Sequence, residues 1–150
     1  MYARVNAASI VSLAMALWLT ACGGTPELRS PDGQLAPCAG GGCVSSRAAE
    51  TGSAVRPIVY SGTREAARLA LTRLIADMPG AELVEQREDY VHATFTSLVL
   101  RSVDDLELDF PPHERVVHIR AASRGGLPSI GNSNLERVEQ LRALFDAVQP

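Results

Sequence analysis

The sequence predicts an α+β fold: an antiparallel four- to five-stranded sheet with two amphipathic helices, in the order β-α-β-β-β-β-α. Three observations predict it. The stretches "SGTREAARLALTRLIADMPG" and "SNLERVEQLRALFDAV" repeat apolar residues at helical spacing, one early and one at the end. Between them lie four β-prone runs separated by short turn-like segments. With 5% aromatic against 46% hydrophobic residues, aliphatic side chains must build the core, and 150 residues suit one such core.

"RPIVY" opens the order as a short strand. In the first helix Ala67, Leu71, Leu74, Ile75 and Met78 share a face, and Pro79 with Gly80 stops it. "AELVEQR" and "YVHATFTSLVL" follow as strands parted by "ED", with Val91, Ala93, Phe95 and Val99 on one face of the second. The next hairpin can be registered from its loop. If "PPHE" is a four-residue loop, Phe110 faces Arg115, Leu106 faces Ile119 and Leu108 faces Val117 on the core side. The other side then sets Asp105 against Arg120 and Glu107 against His118. In the last helix Val138, Leu141, Leu144, Phe145 and Val148 recur at helical spacing, and Ser133 with Glu136 makes a capping-box pattern. Both helices are expected on one face of the sheet.

The N-terminus reads as targeting rather than fold. A positive start, an apolar run too short to span a membrane comfortably, and then "LTAC" resemble a bacterial lipobox. Residues 1–21 are thus expected to be a lipoprotein signal peptide and Cys22 the lipidated residue, with an acyl anchor in the cell envelope. Gly23, where retention at the inner membrane would require Asp, points to the outer membrane facing the periplasm. Residues 22–55, poor in apolar periodicity and rich in Gly, Pro, Ser and Ala, read as a flexible tether, leaving 56–150 as the domain. In "CAGGGC" the oxidising compartment favours a local disulfide between Cys38 and Cys43; a redox pair or half a metal site is the alternative.

All 14 basic residues are Arg, and a formal charge of −3 leaves no basic excess for a phosphate backbone, so no nucleic-acid partner is expected. The candidate chemistry gathers in "SVDDLELDF" and "VHIRAASRGG". Asp105, Glu107, His118 and Arg120 read as ion pairs on a solvated sheet face, or as a pocket where Arg120 and Arg124 clamp a carboxylate, sulfate or phosphate. The third reading is a catalytic group formed by a carboxylate with His118 or Ser123, although "SRGG" is no nucleophile elbow. Arg124 can also latch the glycine-rich loop to Asp104 or Asp105, with Ser133 or Asn134 starting the last helix. His92, His113 and His118 lack a close ligand partner other than Glu107 beside His118, so no metal and no cofactor are expected.

Three stretches, "CVSS" from Cys43, "DYVHATFTSLVLRSVDDLELDF" from Asp89 and "IRAASRGGLPSIGNSNLERVEQLR" from Ile119, resemble the domain-of-unknown-function family numbered 1499. The resemblance covers most of the chain from Cys43 onward. It places Asp104, Asp105, Glu107, Arg120, Ser123, Arg124, Gly126, Gly131, Asn134 and Arg137 at matching positions. It also exposes departures. Gly41 and Gly42 stand where Pro-Asn is usual, Ser129 stands for an Asp, and one extra residue separates Gly131 from the Asn. The family's activity is not established, so it implies a fold and a set of positions without a reaction. The expected function is a lipid-anchored envelope protein acting as a non-enzymatic module for a small anionic ligand or an envelope protein. The alternative is a periplasmic small-molecule hydrolase using Ser123, His118 and a carboxylate.

Overall fold

Thr63, in extended conformation at φ −93° and ψ 150°, accepts the Ala66 N–H on its side chain at 3.1 Å. This N-cap starts helix α1 (Arg64–Ala76), and Glu65 in its first turn suits the positive end of the helix. In the computed structural model, which describes residues 28–39, 41–49, 52–97, 101–124 and 133–149, α1 buries Ala67, Leu71 and Ile75, the stripe expected from spacing. Gly80 turns the chain out of it at φ +77°; a Cβ there would stand 2.9 Å from the Thr96 carbonyl oxygen.

The strands are β1 (Cys43–Ser45), β2 (Ile58–Val59), β3 (Ala81–Gln86), β4 (Tyr90–Thr96), β5 (Val103–Asp109) and β6 (Val116–Ser123), followed by helix α2 (Ser133–Val148). They form a six-stranded antiparallel sheet in the order β1-β6-β5-β4-β3, with β2 also paired to β6. The meander and both helices stand where the sequence put them. The two short strands share one edge of β6, β1 against residues 120–122 and β2 against residues 116–117.

One face of the sheet is apolar. Val91, Ala93, Phe95, Leu106, Leu108, Val117, Ile119 and Ala121 meet Leu71, Ile75, Val138, Leu141 and Phe145 of the helices in a single core. α1 packs on β3 and β4 and α2 on β6 and β1, side by side on that face. Leu144 and Val148, assigned by spacing to the buried stripe of α2, are exposed instead, while Phe145 between them is buried in the core.

The β5–β6 register corrects the hairpin arithmetic. Glu107 lies opposite Arg120, Leu108 opposite Ile119, Leu106 opposite Ala121 and Asp109 opposite His118. The pairing has slid by two residues, because Phe110 and Arg115 belong to the connection and the loop is longer than "PPHE". A shift of two preserves every face while changing every partner. Asp105–Arg120 and Glu107–His118 are therefore not opposed pairs.

The second correction concerns residues expected to be tether. β1 is an edge strand of the sheet, and a strap formed by residues 28–36, closed by the Arg29–Leu35 bridge, buries Leu35 and Ala36. Ordinary edge pairing explains β1; three residues are too few to display a period. The disulfide expected between Cys38 and Cys43 is present and joins the strap to β1. The signal segment, Cys22, Val99, Gly126, Ser129 and Gly131 lie outside the described residues.

Candidate functional site

Alternation along β5 and β6 divides the candidate residues between two faces of the sheet. Asp104 and Ser123 oppose each other on the helix side, at the end of the core nearest the start of α2. Ser123 Oγ donates to Asp104 Oδ1 at 2.7 Å, and Arg137 Nη2 donates to Asp104 Oδ2 at 3.0 Å. Asn134 Nδ2 donates to Ser123 Oγ at 3.1 Å and to the Gly42 carbonyl at 2.7 Å, while its Oδ1 accepts from Arg137 Nη1. Arg137 also stacks over the Phe95 ring at 4.4 Å. Five side chains thus tie the first turn of α2 to β4, β5, β6 and the entry to β1.

The opposite face carries a second cluster, and it is buried rather than solvated. Three carboxylates of β5, Asp105, Glu107 and Asp109, stand in a row, each with guanidinium partners. Arg124 donates to both oxygens of Asp105, Nε to Oδ2 and Nη2 to Oδ1, each at 2.8 Å; His92 Nε2 bonds Oδ1 at 2.8 Å. Glu107 has no solvent exposure; it accepts from Tyr90 Oη at 2.8 Å and from Arg120 Nη1 at 2.6 Å. Asp109 is shared by Arg47 at 3.2 Å and Arg29 at 3.7 Å. The strap supplies Arg29, which lies over the Tyr90 ring at 4.5 Å.

These surroundings set the charges. Burial pushes the Asp105 carboxyl up, but hydrogen bonds from Arg124 and His92 outweigh it and hold the group at about 2. For the deeper Glu107 burial prevails over Arg120 and Tyr90 and raises it. Burial and the neighbouring Glu107 carboxylate push the Tyr90 hydroxyl well above its usual range. Of the two carboxylates the sequence offered Arg124, it pairs with Asp105; the glycine-rich loop it was expected to latch lies outside the described residues.

His118 stands apart from both clusters. Its Nδ1 is 3.1 Å from Ser46 Oγ, which itself accepts the Ile119 N–H at 2.9 Å, so the Ser46 hydroxyl proton is free to bond Nδ1. Nε2 lies 3.8 Å from Glu114 Oε2. Burial, then the charge of Arg47, lowers its basicity. Ser123 belongs to the helix face and His118 to the other face of the same strand, so the structure does not bring them together.

Sequence reasoning missed Tyr90, Asp109, Arg29, Arg47 and Ser46, and weighed His92 only as a metal ligand. His92 and Tyr90 alternate with the core residues of β4, and that pattern could have aligned them with β5 once the register was known. Arg29 and Arg47 carried no such signal, because they sit in a segment without periodicity. Among the described residues no group of three His, Cys, Asp or Glu could hold a metal ion, and no helix is long and apolar enough to cross a membrane.

In comparison with known proteins, residues 34–145 match the family described as "Protein of unknown function (DUF1499)". No curated protein and no solved structure matches the chain.

Proposed function

The chain belongs to the DUF1499 family, whose description assigns no activity, and we propose that it is a lipid-anchored cell-envelope protein whose domain binds rather than catalyses. One observation carries this reading: each buried carboxylate of the sheet is held by guanidinium groups that never release a proton. Fixed ion pairs of this kind shape a surface but cannot exchange protons with a substrate. Arg124 fits such a role. Asp105 fixes its guanidinium bidentately, and 41% of its side chain is exposed. The pair with Asp105 uses Nε and Nη2, so Nη1 stands outside it as a donor for an anionic group at the edge of the sheet. In this reading Cys22 carries the lipid and the domain faces the periplasm from the outer membrane.

Native mass spectrometry of the protein purified from its own envelope should show a retained small molecule or partner, reduced in Arg124→Ala. A clean apo mass together with no captured partner sinks the reading. Anchoring is checked separately: Cys22→Ser should lose incorporation of labelled palmitate and leave the membrane fraction.

The hydrolase alternative keeps one supporting contact, the Ser46–His118 hydrogen bond, with Glu114 behind it. Ester turnover abolished by Ser46→Ala and His118→Ala, in protein that still folds, would favour it over the binding module.

A further inference from the structure

A cavity of about 390 Å³ opens between the strap and the segment after β1, lined among others by Ser30, Leu35, Ala36, Ser45, Arg47 and Ala49. Its size falls in the range of small-molecule sites. The adjoining end of the sheet is over-supplied with cations: Arg29 and Arg47 share the single carboxylate of Asp109. Arg29, next to Ser30, keeps Nη1 buried with no partner among the described residues, and a buried guanidinium donor without an acceptor is costly. Asp32, exposed on the strap's turn, accepts the Gln34 N–H, and its charge reaches Arg47 only through solvent that weakens it. The low basicity of His118, caused first by burial and then by Arg47, agrees with an electropositive corner.

The geometry points to this cavity as a binding site for a small organic anion, its carboxylate or phosphate head on Arg47 and the Ser45 hydroxyl. Its apolar part lies along Leu35, Ala36 and Ala49. The Ser45 hydroxyl accepts the Arg47 N–H at 3.1 Å and keeps its own proton for the ligand. The site deepens the binding-module reading, on which it rests, and adds to the Arg124 edge a cavity that the strap completes. Because Cys38 lines the cavity and is bonded to Cys43, the wall is covalently fixed to the sheet.

The test is an amide NMR titration of the full chain with octanoate. Saturable shifts should centre on residues 35–38 and 45–49, with octan-1-ol producing none. Arg47→Gln should weaken binding by about tenfold or more, the worth of one charged hydrogen bond. Arg73→Gln, on the exposed side of α1, should leave it within about twofold. Since Arg47→Gln also frees Asp109, a second variant is needed: Ala49→Phe, on the exposed rim, should abolish binding with the melting temperature retained. A second arm presents the head on phosphatidylglycerol vesicles; shifts of the same amides there assign the source to a lipid, and shifts with octanoate alone assign it to a soluble acid. Shifts that are absent, scattered, or unchanged by Arg47→Gln and Ala49→Phe overturn the site. If that happens while envelope-purified protein still retains a ligand, the binding-module reading stands without it.

Discussion

Glu107 is the residue on which the second face depends most. It is wholly enclosed, and Arg120 is its only cation within hydrogen-bond distance among the described residues. Removing one member of a buried ion pair strands the other, at a cost of about 3–5 kcal/mol. Arg120→Ala should therefore lower unfolding stability in urea by about that amount, whereas Glu107→Gln with Arg120→Met should cost less than Arg120→Ala alone. Asp105 adds a pH dependence. Its folded value of about 2 lies below the ordinary 3.8, so its stabilisation is complete above about pH 4 and fades as the pH falls toward 2. The shift is worth about 2 kcal/mol. Glu107 acts in the opposite sense: its folded value is raised, so ionising it costs stability as the pH climbs past the ordinary 4.5. The measurement is urea unfolding at about pH 5 and about pH 2.5, where Asp105→Asn should lose about 1.5 kcal/mol less than the parent over that interval. The acids and bases of this ladder were legible in the sequence as an alternating pair of strands. Their partners were not, because one unread loop boundary moved each of them by two positions.

Among the elements, α1 and the three strands after it were readable because each displays more than one period of its pattern. β1, at three residues, does not. The α1–β3 turn depends on Gly80, where positive φ and the nearby Thr96 carbonyl both exclude a side chain. Gly80→Ala should cost about 2 kcal/mol or more in thermal or urea unfolding. Gly52→Ala, where a Cβ would meet nothing within 4 Å, should stay within about 0.5 kcal/mol. The Cys38–Cys43 bond closes a short loop and is worth about 2 kcal/mol in the chain-entropy picture. Its larger effect is positional, since it holds the strap beside β1. Among the described residues the start of α2 is fixed by Asn134 and Arg137. Asn134 could be read from the sequence as a helix start; its reach to the Gly42 carbonyl could not.

For the whole molecule, the division into tether and domain is where the sequence was least informative. Loop-like composition does not distinguish a free segment from one lying on a buried polar face, because neither needs an apolar stripe. Deletion gives a direct check. A chain cut to residues 56–150 lacks β1, Arg29, Arg47 and the disulfide, and leaves the ladder open to water on one side. It should show no cooperative thermal transition, whereas residues 28–150 should melt cooperatively with far-UV signal like the full chain. The strap also sets a distance. Had residues 22–55 all been slack, a domain hung from Cys22 could have ranged some 110 Å from its anchor. If Cys22 carries the proposed lipid, only six steps of chain separate it from Leu28, which is hydrogen-bonded to Ala36, a span of at most about 20 Å. Under that proposed anchor the domain would work within one domain's width of the bilayer, and whatever it met would have to come to the membrane surface.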